Sequence, residues 1–463
     1  MIKFSSFSEV IKYRRENDGN KPLFLWLSEG IVHSITGLEF YRMVDNKAAQ
    51  YQTFKEKHIA IIGHPFPNVI ASIFGAVIAG KSVCFLDSSS SLTSLKESII
   101  KAGIQKIDLL DESFEDDEKD FLVSSLTKKL EHPLKSEAGQ EGNLLFFTSG
   151  TTKTEKVVVL SSKNLCASAF NGQCILPCGN DDTIYLSLPL SHVFGFVCGL
   201  LWPLCYEASI ALCSGLRNVP MELSLLSPTI IPTVPTLASA LGERLPSFFN
   251  VKTILIGAGP LSETALNKIR SKGVKVAFGY GLTETSSGVA LGVDENPLFM
   301  SVCPENQITI EDGEIVIHSE TILMKGYYSR LEGLETVAVE NHCFRTKDRG
   351  YFDSNGRLRV EGRIDDVSVL PNGEKANLPL LEDKFRKLLP FPCDFAFLVG
   401  PSGLLIAVYL ENDHLYSKLN EVVKDFNETL SFGLRLERVL KLKSPLPRTP
   451  LGKVKRYEIR SEI

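Results

Sequence analysis

The feature that most constrains this chain is a rhythm. Over its first 290 residues, short β-rich apolar runs alternate with stretches of helical pattern, as they do in layered α/β folds. Ile59-Ala60-Ile61-Ile62-Gly63 reads as a buried strand, Asn68 to Ala79 as an apolar helix, and Val83-Cys84-Phe85-Leu86 as the next strand. The same beat returns at Thr253-Ile254-Leu255-Ile256, in a helix opened by Ser262 with Glu263 in its first turn, and in Val274 to Phe278. A hydroxyl cap followed by a carboxylate suits the positive end of a helix. The pattern predicts parallel strand pairing. At 463 residues the chain has room for about two to four units of ordinary size.

Past residue 300 the texture changes. Gln307 to His318 alternates apolar and polar residues around Glu311-Asp312-Gly313, a hairpin signature, and Asp353-Ser354-Asn355-Gly356 leads into a second hairpin at Arg357 to Val360. These predict a small antiparallel subdomain. After Gly362-Arg363-Ile364-Asp365-Asp366 the remainder reads as a compact α+β unit, with a helix near 380–388 and strands near 396–399 and 404–410. Asp111 to Asp120 is an acidic loop and helix start, and no internal repeat is visible.

Composition excludes several classes. Fifty Lys and Arg against 55 Asp and Glu leave a net charge of −5, which argues against a nucleic-acid binder. The longest apolar run, Val193 to Cys205, is cut by Pro203 and falls short of the roughly 20 residues of a membrane span. The start lacks a signal-peptide core. The ten cysteines are scattered without a CxxC pair, so buried reduced thiols are expected, in a soluble cytoplasmic protein.

Several segments carry chemistry. The apolar run Leu144 to Phe147 ends abruptly in Thr148-Ser149-Gly150-Thr151-Thr152-Lys153-Thr154-Glu155-Lys156. Small residues let backbone N–H groups approach an anion, hydroxyls add donors, and Lys156 supplies charge. Taken alone, the segment equally suits a polar hairpin loop. Gly279-Tyr280-Gly281-Leu282-Thr283-Glu284 follows a predicted strand; its tyrosine can stack on a purine and Glu284 offers a hard oxygen for Mg²⁺. Taken alone, it better suits a Gly-rich turn with a solvated acid.

Together, and in this order, these segments resemble the signatures of adenylate-forming enzymes: acyl-CoA synthetases, aryl-CoA ligases, luciferases and stand-alone adenylation domains. The first is similar to the family's TSGTTGxPKG phosphate loop, with Lys153, Glu155 and Val157 in place of Gly, Pro and Gly. The second resembles YGxTE, which implies that Tyr280 lies against adenine, Thr283 approaches the phosphate and Glu284 holds Mg²⁺. Gly257-Ala258-Gly259-Pro260 resembles the adenine-pocket loop. Thr346-Lys347-Asp348 resembles TGD with Lys347 for glycine, implying that Asp348 binds the ribose hydroxyls. Gly362 to Asp366 resembles GRxDD, implying Arg363 on ribose or phosphate and Asp365 at an interdomain hinge. Pro447 to Arg456 resembles the terminal PxTxxGKxxR loop, which would make Lys453 the catalytic lysine.

The resemblance spans residues 140 to 456 and implies the fold in full. A large N-terminal domain of layered α/β subdomains with a small antiparallel β subdomain (1–361) is followed by a hinge (362–366) and a small mobile α+β domain (367–463). It implies ATP- and Mg²⁺-dependent conversion of a carboxylic acid to acyl-AMP with release of pyrophosphate, then transfer to the thiol of CoA. The phosphopantetheine of an acyl or peptidyl carrier protein is the alternative acceptor, and a non-catalytic nucleotide-binding relative the alternative class. Leu188 to Phe196 resembles the acyl- and aryl-activating pocket motif, with His192 at the entrance and no aspartate to pair an α-ammonium. Val193, Phe194, Phe196, Val234, Ser286, Ser287 and Val289 would then line an apolar pocket for a fatty or aromatic acid.

Overall fold

A computed structural model describes residues 1–18, 20–134, 139–148, 155–215, 217–244, 249–259, 261, 263–364, 367–449 and 454–460. Among these, two large sheets form the body of the molecule. The seven-stranded sheet is built around the parallel strands Lys106–Leu109, His58–Gly63, Ser82–Asp87 and Asn143–Phe147. His58–Gly63 is buried at every position, as a strand covered on both faces must be. The helix that follows, Pro67–Ile78, is apolar nearly all round, opened by its proline and sunk between layers.

The nine-stranded sheet holds the second parallel set: Lys275–Leu282, Thr253–Ile256, Ile230–Thr233, Thr183–Leu186 and Ser209–Leu212 lie side by side. One flank carries the hairpin Pro22–Ser28 and Ile31–Thr36, the other the antiparallel strands Ser287–Gly292 and Ser301–Val302. The largest apolar core includes Phe7, Phe24, Phe40, Phe74, Phe146 and Phe196, drawn from elements across the first 200 residues.

A four-stranded antiparallel sheet follows the order Gln307–Glu311, Glu314–His318, Cys343–Phe352, Leu358–Arg363. Its first hairpin turns through Asp312 and Gly313 at φ 52° and 80°, the conformation that an Asp-Gly pair favours. The chain between its second and third strands does not stay with it. Gly326–Ser329 and Gly333–Glu335 return to the seven-stranded sheet and extend it beyond Val157–Ser161. The antiparallel subdomain is therefore interrupted, not continuous.

The small C-terminal domain has its own sheet, Asp394–Val399, Leu404–Tyr409 and Leu436–Lys441, under the helices Leu378–Leu388 and Leu415–Glu428. Phe385, Phe395, Phe397 and Phe426 cluster in its separate core, the first two rings 5.1 Å apart. No described helix is long and apolar enough to cross a membrane. The run 193–205 instead forms a π-helix, Gly195–Leu201, that passes into a short α-helix, Trp202–Cys205.

Candidate active site

A cavity of about 660 Å³ opens between the edge of the nine-stranded sheet, the helix Ser162–Ile175, the π-helix and the antiparallel sheet. Every described residue lining it falls between Thr148 and Arg363.

At one end the strand Asn143–Phe147 runs into Thr148, whose N–H donates to Lys156 O at 3.0 Å while its hydroxyl accepts from Lys156 N–H at 3.1 Å. The two ends of the segment 148–156 are thus pinned to each other. Ser149, Gly150, Thr151 and Thr152 lie outside the described residues. Glu155, which stands where the family has proline, pairs with Lys101 at 3.1 Å.

Lys275–Leu282 continues as a strand through Gly279-Tyr280-Gly281, where a Gly-rich turn was the alternative reading, and pairs with Ser287–Gly292. The pairing is close: a Cβ on Gly281 would stand 1.4 Å from the Ser287 carbonyl oxygen, so only glycine fits. Tyr280 donates its hydroxyl proton to Asp348 Oδ2 at 2.7 Å, and Arg363 Nη1 approaches Asp348 Oδ1 at 3.7 Å. Antiparallel register sets this geometry, since Asp348 and Arg363 face each other across adjacent strands. Asp348 is 5% exposed and stands behind the cavity wall, its N–H donating to Thr346 Oγ1. Burial first, and the Asp348 carboxylate second, push the Tyr280 phenol well up, so it remains a proton donor. Lys347, in the position of the family's glycine, adopts φ 60° and its N–H donates to Glu314.

Thr283 and Glu284 follow in a 3₁₀ turn and line the cavity. Tyr327 donates to Glu284 Oε1 at 2.8 Å, and Lys156 Nζ stands 4.1 Å from the centre of the Tyr327 ring. Strand pairing explains the contact: Tyr327 lies opposite Val158, two residues after Lys156. Tyr327 was not singled out from the sequence. A carboxylate has lone pairs to spare after one such bond. No cluster of three or more metal-ligating side chains occurs among the described residues. Glu284 therefore fits Mg²⁺ as a single protein ligand supplemented by substrate phosphate, the ordinary arrangement for that ion.

Gly257 and Ala258 line the cavity; Gly259 does not, and Pro260 lies outside the described residues. Gly257 backs onto the Phe194 ring, which a Cβ would meet at 2.8 Å, and Ala258 takes a left-handed φ of 66°. His192 lines the cavity, its Nδ1 accepting from Phe194 N–H. Of the expected pocket residues, Val193, Phe194 and Ser287 line it. Phe196, Val234, Ser286 and Val289 do not. Phe196 turns into the core, stacked 6.2 Å from Phe74 and edge-on to Phe146. Ser286 is fully buried, its hydroxyl donating to Ile322 O. Val289 faces the main core and Val234 packs beneath Phe194. The sequence reading missed Leu176, Val197, Cys198, Trp202, Leu291 and Cys303, which supply the apolar end in their place.

Asp365 and Lys453 lie outside the described residues. On either side of 450–453, Arg448 and Val454 pair as an antiparallel bridge. Arg448 is anchored on Asp394, and Arg456 Nη2 donates to both carboxylate oxygens of Glu382 at 2.7 and 2.8 Å.

A polar end and an apolar end share one cavity on a two-domain α/β frame, and the signature of the AMP-binding enzyme family matches residues 13–328: the chain belongs to that family. Its relatives are more particular. The 2-succinylbenzoate–CoA ligase of Bacillus subtilis (strain 168) is 29% identical over 294 residues, 58% of this chain and 59% of that protein, so the match spans less than two thirds of that relative. The enzyme of the same name from Bacillus velezensis is 25% identical over 468 residues, 92% of each chain. Among solved structures, the O-succinylbenzoate coenzyme A synthetase of B. subtilis in complex with ATP and magnesium ion superposes with a TM-score of 0.79 at 22% identity, over 97% of this chain and 99% of that one. An anthranilate CoA ligase in complex with anthranoyl-AMP gives 0.79 at 16% identity, over 100% and 98%. At these identities the structural likeness shows the fold.

Proposed function

We propose that this protein is an acid–thiol ligase that activates an apolar carboxylic acid as acyl-AMP and passes the acyl group to CoA. The observation that carries this reading is the single cavity, with Tyr280, Glu284, Lys156 and Arg363 at one end and Val193, Phe194, Val197 and Leu291 at the other. A carboxylate is a poor electrophile because its leaving group would be oxide. In the first step its oxygen bonds the α-phosphorus of ATP and pyrophosphate departs; in the second a thiol sulfur bonds the acyl carbon, AMP departs and the thiol proton is lost.

Such chemistry needs few acid–base groups. It needs charge held where charge develops. Lys156 and the loop amides would bind phosphate, Tyr280 would lie against adenine, and Arg363 would face the ribose, oriented by Asp348 behind the cavity wall. Glu284 would hold Mg²⁺, which when bound neutralises phosphate charge. Lys453, on the C-terminal domain, would reach the reacting carboxylate, with residues 362–366 as the hinge and Asp365 its pivot. His192 would stand at the entrance of the acyl chamber.

The relatives' named acid, 2-succinylbenzoate, carries a second carboxylate. Among the described lining residues, three cations are already engaged: Lys156 on Tyr327, Arg345 on Glu311 and Glu314, and Arg363 on Asp348. An acid with one carboxylate suits this chamber better, since a second would be buried unpaired. The test is ATP-dependent pyrophosphate release across fatty, aryl, amino and dicarboxylic acids, with CoA or a carrier protein supplied afterwards. Release greatest with apolar monocarboxylic acids, followed by CoA thioester formation, is expected; release greatest with an amino acid overturns the reading.

A further inference from the structure

We propose that the acyl chamber is shaped for an acid whose apolar body carries an uncharged hydrogen-bonding substituent, and that Ser168 reads that substituent; the proposal rests on the acid-activating reading above. The chamber's inner walls are the helix Ser162–Ile175 and the strand Ser287–Gly292, fastened by Asn171, whose Nδ2 donates to Gly288 O at 3.3 Å and to Asn306 Oδ1 at 3.1 Å. Ser168, Ala169, Gly172 and Leu176 follow one another down one face of the helix, and all line the cavity.

Two glycines hold this region open. Neither Gly172 nor Gly288 adopts a positive φ, and a Cβ on either would meet no heavy atom within 4 Å. Glycine is unfavourable inside a helix, and no turn or close approach demands it here. What the pair contributes is room.

Ser168 gives that room a chemical preference. It is 3% exposed, and its Oγ has no hydrogen-bond partner, although a helical serine ordinarily bonds a carbonyl one turn back. Among the described residues lining the cavity, it carries the one buried side-chain polar atom left unpaired. Other polar groups lining the cavity are already engaged: Trp202 Nε1 donates to Gln173 Oε1 at 2.7 Å, and Cys198 Sγ meets Ser287 Oγ at 3.9 Å. A buried hydroxyl left unpaired is costly, so a ligand that pairs it gains selectivity over one that does not. A hydroxyl, amino or keto group would pair it; a carboxylate would arrive with no cation beside it.

The experiment compares matched acids in ATP-dependent pyrophosphate release: benzoate with its 2-, 3- and 4-hydroxy derivatives, and octanoate with 8-hydroxyoctanoate and octanedioate. The expected result is a preference of about tenfold or more in kcat/KM for at least one hydroxylated acid over its parent, with octanedioate poorest in its set. Ser168→Ala should bring that ratio close to one while leaving the melting temperature unchanged or raised, because no bond is lost in the free protein. Gly172→Val should lower octanoate relative to butyrate. A wild type without any such preference, or a preference that survives Ser168→Ala, overturns the inference. Failure of every acid to release pyrophosphate overturns the acid-activating reading instead.

Discussion

Tyr327 joins two groups that the sequence places 128 residues apart, the Glu284 carboxylate and the Lys156 ammonium. Tyr327→Phe keeps the ring under the lysine and removes the bond to the carboxylate. Groups that orient a metal's ligand are typically worth about 10- to 100-fold in metal affinity. The Mg²⁺ concentration for half-maximal pyrophosphate release should therefore rise by about tenfold, and magnesium–ATP binding by calorimetry should weaken in step. An unchanged magnesium requirement would remove Tyr327 from this role. His58 offers a second test. Its Nδ1–H donates to Ala102 O at 3.1 Å while its Nε2 accepts from Leu134 N–H at 3.1 Å, so the bonded ring is neutral. Burial holds its pKa below the usual imidazole value. As pH falls below about 6.5 the unfolded chain takes up a proton that the folded one refuses, and stability drops until the depressed folded value is reached. Urea unfolding at pH 7 and pH 5 should show a larger loss for the wild type than for His58→Gln; equal losses would count against this.

At the scale of elements, the pairing of Lys275–Leu282 with Ser287–Gly292 sets the shape of the cavity. Gly281→Ala drives a methyl into the Ser287 carbonyl, a backbone atom that cannot swing aside. Loss of magnesium–ATP-induced thermal stabilisation is expected, together with a lower melting temperature; a variant that melts and binds like wild type would show that the strands part easily. The parallel strands, both hairpins and the order of motifs were legible in the sequence, because periodicity reports which face of an element is buried. It does not report against what. Phe194 and Phe196 look equivalent in an apolar run, yet in a helix two positions differ by about 200°, so one ring reaches the cavity and the other the core. Apolar periodicity also cannot tell a π-helix from an α-helix, which is why Val197 and Cys198 escaped notice. Tyr327 escaped because only long-range strand pairing brings it to Glu284.

At the scale of the molecule, every described residue lining the cavity lies at or before Arg363, while the candidate catalytic lysine, Lys453, stands 90 residues further along the chain. Lys453→Ala should leave ATP binding nearly intact and lower acyl-AMP formation by about 100- to 1000-fold, with far less effect on thiol transfer from supplied acyl-AMP. Near-native pyrophosphate release by this variant would sink the assignment. The return of Gly326–Ser329 to the seven-stranded sheet bears on how the protein is made. Val157–Ser161, apolar and buried in the finished molecule, gains its outer neighbour only from residues that a ribosome adds some 165 positions later. Until then the nascent chain carries a bare β-edge, the kind of surface that recruits other chains. Truncation before residue 326 leaves that edge open for good, so the sheet that leads into Thr148 is completed only once residues 326–335 have been synthesised.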